Sequence, residues 1–164
     1  MKAKHGQAVG HEIRIRAATA TVFALLTDAQ RMTTWLARNV KADPRRGGVL
    51  RLVDFGGLWV EGTYLKVIPY RKVVFTWGGI EGLKLGQSTA QFTLHSNGKS
   101  TLLRLCHFGL SLPAVKAHRF IWKKSGLPKL KAAAEGKEPS GTCLGDAADS
   151  REQHAYSACV ACEN

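Results

Sequence analysis

Apolar and polar residues alternate with a period of two through most of the segment from residue 38 to residue 108. This period is typical of β-strands, whose successive side chains point to opposite faces of a sheet. Together with the alternating HEIRIR at 11–16, it predicts strands at 11–16, 38–43, 48–54, 58–68, 72–78, 87–95 and 100–108. The breaks are turn signals rich in Gly, Pro and Asn, namely DPRRGG, FGG, IPYR, GGIEG and SNGK. We therefore expect one long antiparallel sheet.

Helical periodicity replaces this alternation in two places. Thr19 is expected to cap a helix over TATVFALLTD, and Asp28 to cap a second short helix over AQRMTTWLA. The last helix is expected to begin near Ser111 and to stop at Gly136. Gly126 and Pro128 interrupt its apolar pattern, and these two residue types predict a kink or break there.

The order of these elements predicts an α+β fold. A curved antiparallel sheet exposes a concave apolar face, and one long C-terminal helix remains to cover it, with the two short helices closing one end. Such an arrangement often leaves space between helix and sheet. Apolar walls with a few polar groups are typical of ligand pockets. The candidate ligand-binding residues on this inner face are Trp35, Leu52, Trp59, Glu61, Leu65, Phe75, Trp77, Phe92, Leu105, His107 and Phe120.

Glu61 and His107 are the two polar members of that set. Period-two parity places Glu61 on the face that carries Leu65 and Val67, unless the parity slips at Gly62. Buried polar groups need partners. These two side chains could therefore satisfy each other, bind water or bind a ligand; alternatively, Glu61 lies at the sheet margin and His107 bonds a backbone group. They are also the only candidates for catalysis, which is not the favoured interpretation.

The charge is strongly basic, with 24 Lys and Arg against 12 Asp and Glu. Residues 137–164 reverse this balance, with two basic and five acidic residues. The chain lacks a nucleic-acid-binding motif, so no nucleic-acid partner is expected. No apolar run is long enough for a membrane span and none resembles a secretory signal, so a cytoplasmic location is expected. The basic residues of the last helix either form its solvated face or favour an anionic partner.

Two further motifs are weak signals. DPRRGG at 43–48 lies between two predicted strands and lacks the spacing of a phosphate-binding loop, so it indicates a hairpin turn. Cys159 and Cys162 form CVAC, with Cys143 and His154 upstream, in a Gly/Ala/Ser-rich tail. A disordered tail is the preferred interpretation over zinc binding or a redox pair. No metal and no cofactor are therefore expected.

Several segments together resemble a known family. HEIRIRA, VFALLTD, RMTTWL, KADPRRGGVLRL, EGTYLKVIPYRKVVFTWGG, STAQFTL, TLLRLCHFGL, AHRFIW and LPKLKAAAEGKEP are similar to the START-like helix-grip (SRPBCC) superfamily. More narrowly, they resemble the branch related to the C-terminal domain of the activator of the 90-kDa heat-shock protein ATPase. The resemblance covers roughly 9–139. The spacing between the helix Trp and the LP pair is one residue longer than usual, with Gly126 as the inserted residue.

The resemblance implies a helix-grip domain over 9–136, followed by a tail over 137–164. It also implies a cavity between sheet and helix suited to a small hydrophobic or amphipathic molecule, gated by the kinked helix or by the loop at 78–87. Ligand binding is the first hypothesis. The alternatives are a co-chaperone-like role with a chaperone or other protein partner, and a polyketide cyclase-like or hydrolytic enzyme.

Overall fold

The computed structural model describes residues 7–53, 59–80 and 83–137. Within these ranges the strands and helices follow one another in the order that the periodicity predicts. They are β1 (Gln7–Ile15), α1 (Thr19–Thr27), α2 (Ala29–Met32), β2 (Asn39–Ala42), β3 (Val49–Val53), β4 (Trp59–Ile68), β5 (Lys72–Trp77), β6 (Ser88–Asn97), β7 (Ser100–Leu110), α3 (Leu112–Ile121), a π-helical segment (Trp122–Gly126) and α4 (Leu127–Ala134).

The seven strands form one antiparallel sheet in the order β1-β7-β6-β5-β4-β3-β2. Five consecutive hairpins build the sheet from β2 to β7, and β1 pairs with β7 at the opposite edge. Helix α3 contacts β1 and β7, while α1 contacts α4. The concave face is therefore covered by the C-terminal helix and closed at one end by α1, as the predicted helix-grip architecture requires.

The helix starts follow capping chemistry, with one correction. The Arg31 backbone N–H donates to Oδ1 of Asp28 over 2.9 Å, which confirms Asp28 as the cap of α2. Ser111 caps α3 in the same way through the Ala114 N–H. Thr19, in contrast, is the first residue of α1, and the preceding Ala18 makes no side-chain cap bond. The prediction that Thr19 caps this helix is wrong.

Helix α2 is shorter than its apolar pattern predicts. It ends at Met32, and the hydroxyls of Thr33 and Thr34 donate to the carbonyls of Gln30 and Arg31. Such side-chain bonds compete with helical backbone bonds and favour turns. The chain nevertheless buries Trp35 here, because the Trp35 indole N–H donates to the Leu25 carbonyl over 2.8 Å.

The predicted break in the last helix occurs as a π-helical segment. The Leu127 N–H donates to the Trp122 carbonyl, which closes a turn one residue wider than an α-helical turn. This is how a helix absorbs a single extra residue without ending. Gly136 then stops the helix with a φ of 68°. Among the described residues, no helix is long and apolar enough to cross a membrane.

Candidate functional site

The structure brings most of the predicted inner-face residues together, but not all of them. Seven are buried between the sheet and the helices: Trp35, Leu52, Phe75, Trp77, Phe92, Leu105 and His107. Four do not face the interior, which corrects their predicted placement. Trp59, Leu65 and Phe120 are 45%, 44% and 54% exposed, and Glu61 is partly exposed on the outer face.

A β-bulge at Leu65 explains the three corrections on β4. Tyr64 pairs with Phe75 and Lys66 pairs with Val74, so Leu65 is an extra residue without a partner of its own. One extra residue reverses the alternation of faces along a strand. Residues N-terminal to the bulge therefore have the opposite parity, and Val60 and Tyr64 point inward while Trp59 and Glu61 point outward.

On the outer face, Glu61 is paired with a neighbour on the adjacent strand. The Arg51 Nε donates to Oε2 of Glu61 over 2.7 Å. The Arg51 guanidinium also lies 5.4 Å from the centre of the Trp59 ring. Glu61 and His107 thus lie on opposite faces of the sheet, so the structure does not assemble the predicted catalytic pair.

The correction at Phe120 concerns the face that the last helix turns inward. The buried positions on α3 and the π-helical segment are Ala114, Val115, Ala117, His118, Ile121, Trp122 and Gly126. Their spacing of three or four residues follows the helical period. Phe120 lies outside that stripe, and Trp122 instead enters the interior. A hydropathy pattern does not predict that His118 is buried, because histidine counts as a polar residue in such a pattern.

The C-terminal helix, formed by α3, the π-helical segment and α4, is here called the closing helix. Aromatic rings fill the space between it and the sheet. The Trp122 ring lies 5.6 Å from Trp77 and 5.7 Å from Phe92, measured between ring centres. Phe75 lies 5.7 Å from both Phe92 and Tyr64. The closing helix is thereby held to the sheet by contacts between large rings, which bury much apolar area.

His107 is completely hydrogen-bonded at the centre of this cluster. The Trp122 Nε1–H, which can only donate, lies 3.0 Å from Nδ1 of His107. Nδ1 is therefore the acceptor, and the ring proton resides on Nε2. Nε2 lies 2.8 Å from Oγ of Ser88, whose hydroxyl donates to the Trp77 carbonyl. The direction of every bond in this chain is consistent with a neutral imidazole.

Burial and, as the smaller contribution, the neighbouring His118 together lower the pKa of His107 to about 2. The two imidazole rings meet edge to face, with their centres 4.9 Å apart. Burial likewise lowers the pKa of His118. Both rings are consequently neutral at ordinary pH, and His107 is held in one tautomer instead of being poised to exchange a proton.

Two buried polar atoms beside His107 have no hydrogen-bond partner in the described part of the chain. One is Nε1 of Trp77 on the sheet, which is a donor. The other is Nε2 of His118 on the helix. Because Nδ1 of His118 lies 2.8 Å from the Ala114 carbonyl and must donate to it, Nε2 is an acceptor. Among the described residues next to His107, the sheet thus supplies one unsatisfied donor and the helix one unsatisfied acceptor.

Other candidate features lie elsewhere or outside the described residues. An open hollow of 600 Å³ is lined by the β4–β5 turn and β6, and a second of 430 Å³ lies on the outer face beside Cys106. The tail cysteines and His154, the FGG turn and part of the 78–87 loop fall outside the described residues. Within the described residues, no cluster of three or more His, Cys, Asp or Glu could hold a metal ion.

This combination of a seven-stranded antiparallel sheet and a closing helix defines a helix-grip protein of the SRPBCC type. The chain belongs to the family described as Activator of Hsp90 ATPase homolog 1-like protein, which matches residues 16–135. The resemblance drawn from the sequence is thereby confirmed. No curated protein sequence matches the chain significantly.

Solved structures with the same fold come from several organisms. CalU16 from Micromonospora echinospora is 23% identical, with a TM-score of 0.66 over 93% of this chain and 82% of that one. The Aha1 dimer from Colwellia psychrerythraea is 21% identical, with a TM-score of 0.68 over 79% and 96%. An HSP90 activator from Plasmodium falciparum is 20% identical, with a TM-score of 0.62 over 74% and 91%. At these identities the likeness establishes the fold.

Proposed function

We propose that this protein binds a small, largely apolar molecule that carries one hydroxyl-like polar group between the sheet and the closing helix. The observation that supports this most directly is the unsatisfied pair formed by Nε1 of Trp77 and Nε2 of His118. Burying a polar group without a partner costs about 1–3 kcal/mol, so such groups call for a ligand or an internal water. A hydroxyl has the chemistry that both atoms need, since it can accept from Nε1 of Trp77 and donate to Nε2 of His118.

The surroundings of this pair favour an apolar body for the ligand. The Trp77 ring lies 6.3 Å from Phe75 and 5.6 Å from Trp122, measured between ring centres, and Phe92 packs against both of these neighbours. His107 offers no further polar group, because both of its nitrogens are already bonded. A charged ligand would lose its hydration without gaining a counter-charge here. The preferred molecule is therefore neutral.

Entry of a ligand requires Trp122 to move, and the π-helical segment is the place where this movement is least restricted. π-turns interrupt regular α-helical bonding and often occur at functional sites. Trp122 is the first residue of that segment. A shift of this turn would carry the Trp122 ring away from Trp77 and open the space beside the unsatisfied pair.

The experiment uses the purified full chain, native mass spectrometry and denaturing extraction of any bound compound. A matched pair of probes, 2-naphthol and naphthalene, is then titrated calorimetrically. The proposal expects 2-naphthol to bind more tightly than naphthalene, and Trp77→Phe to remove that preference. Equal affinity for both probes in the native protein, together with an apo mass, would refute the assignment of the polar pair.

A second candidate function, an interaction with a heat-shock ATPase, is supported by family membership alone. Its test is direct: the chain either retains the 90-kDa chaperone in a pull-down and raises its ATPase rate, or it does not. Loss of the effect in Trp77→Phe would connect the two functions, whereas an unchanged effect would assign the interaction to the surface of the protein.

A further inference from the structure

Helix α3 presents two large apolar side chains to solvent. Leu112 is 72% exposed and Phe120 is 54% exposed. Single exposed apolar residues are ordinary on protein surfaces, but these two lie on one helix face. Lys116 lies between them in the sequence, and Arg119 and Lys123 are exposed beside them. At about 100° per residue, these five residues fall within an arc of about 100°.

The charge around this face has one sign. The chain contains no Asp or Glu between Glu81 and Glu135, so every charged side chain of α3 and the π-helical segment is cationic. Lys124, the next exposed residue, extends the cationic surface. We name the group formed by Leu112, Lys116, Arg119, Phe120 and Lys123 the α3 face. It combines apolar side chains that can enter a non-aqueous layer with cations that require an anionic partner.

We infer that the α3 face docks on the surface of an anionic phospholipid bilayer. Phe and Leu at an interface enter the boundary between head groups and acyl chains, while Lys and Arg attract anionic lipids. An acidic protein is less suitable, because lysine is depleted at protein–protein interfaces and the α3 face with Lys124 carries three lysines to one arginine. This docking is peripheral and independent of the proposed small-molecule site.

The test is co-sedimentation of the full chain with phosphatidylcholine vesicles, prepared with and without phosphatidylserine. Binding is expected only with phosphatidylserine, and it should weaken as salt screens the charges. Reversing two cations, in Lys116→Glu/Lys123→Glu, is expected to weaken binding at least about tenfold. The matched control Lys66→Glu/Lys99→Glu changes the net charge equally at exposed positions away from α3 and is expected to retain binding.

A separate variant tests how much the apolar side chains of the α3 face contribute to vesicle binding. Leu112→Ala/Phe120→Ala is expected to weaken vesicle binding roughly tenfold, with the larger loss at high salt, where hydrophobic insertion carries more of the affinity. Leu65→Ala, which removes an exposed leucine from β4, is the control. Circular dichroism of each variant checks that it folds, which is expected because all seven substituted positions are exposed.

Three results would overturn the inference. If the control charge reversal weakened binding as much as the helix reversal, the attraction would belong to the general basic charge of the protein. If soluble polyglutamate bound while the vesicles did not, the α3 face would be assigned to an acidic protein. If Leu112→Ala/Phe120→Ala converted a dimer to a monomer without affecting vesicle binding, a second copy of the chain would be its occupant.

Discussion

The indole Nε1–H of Trp122 donates to Nδ1 of His107 over 3.0 Å, and this bond joins the closing helix to strand β7. This bond sets the tautomer of the imidazole, and through Ser88 it orders a chain that ends at the Trp77 carbonyl. The indole N–H of Trp77, in contrast, has no hydrogen-bond partner among the described residues. Two tryptophans in contact therefore have opposite hydrogen-bonding states.

That difference makes Trp122→Phe and Trp77→Phe a matched pair. Both remove the same atoms from one buried aromatic cluster. Trp122→Phe also leaves Nδ1 of His107 buried and unpaired, so it is expected to cost about 1–3 kcal/mol more free energy of unfolding than Trp77→Phe. Urea denaturation of both variants measures the difference. Equal losses would show that the bond to His107 contributes nothing net to stability.

The buried histidines predict a loss of stability in mild acid. A histidine in the unfolded chain has a pKa of about 6.5, whereas burial lowers the pKa of His107 in the folded protein to about 2. The folded state therefore binds fewer protons than the unfolded state below pH ~6.5. Stability should be fully present above that pH and should fall as the pH decreases, by about 1.4 kcal/mol per pH unit for each such histidine.

Unfolding free energies measured in urea from pH 7 to pH 5 test this slope. His107→Gln should be less stable at pH 7, because it disturbs the Ser88 and Trp122 bonds, but it should lose stability less steeply in acid. His118 lies against the same ring and adds a second contribution, since burial also lowers its pKa. A slope unchanged by His107→Gln would mean that this imidazole does not resist protonation.

Much of the fold is predictable because its signals are local. The alternation of faces, the turn residues and the caps at Asp28 and Ser111 each depend on a few neighbouring positions. Even the helix irregularity is visible from the inserted Gly126, although its π-helical form is not. The strand limits predicted from the sequence consequently agree with the structure to within about two residues for six of the seven strands.

The site is less predictable because its decisive features are not local. A bulge depends on how Tyr64 and Lys66 pair with the neighbouring strand, and the nearest sequence marker of a parity slip, Gly62, lies three residues before the extra residue. The inward turn of His118 and Trp122 depends on the register of the helix against the sheet. Ser88 looks like a strand terminus, and its role is visible only beside His107.

Glu61 offers a test of the outward placement on β4. A surface ion pair contributes little, so Glu61→Gln is expected to change the unfolding free energy by less than about 1 kcal/mol and to leave ligand binding unchanged. His107→Gln, at the position that does face the interior, should cost more. Thermal and urea denaturation of both variants compare them. A large loss of unfolding free energy in Glu61→Gln would contradict the outward placement and indicate that the carboxylate faces the interior.

Gly126 is the position at which the π-helical segment and the aromatic cluster constrain each other. A Cβ there would lie 2.7 Å from Cε3 and 3.1 Å from Cζ3 of Trp122, closer than packed carbon atoms approach. Gly126→Ala should therefore displace the Trp122 ring and lengthen its bond to His107, at a cost of about 1–3 kcal/mol. The displacement should also appear as a change in the near-ultraviolet circular dichroism of the indole.

The matched control for that prediction is Gly10→Ala on β1, where an added Cβ meets nothing within 4 Å. Alanine restricts the unfolded chain more than glycine does, so this variant should be neutral or slightly more stable. If Gly126→Ala were equally well tolerated and left the indole signal unchanged, Trp122 would have room to move without strain. The closing helix would then be adjustable at this turn even without a ligand, and the packing of Trp122 against Gly126 would not limit entry.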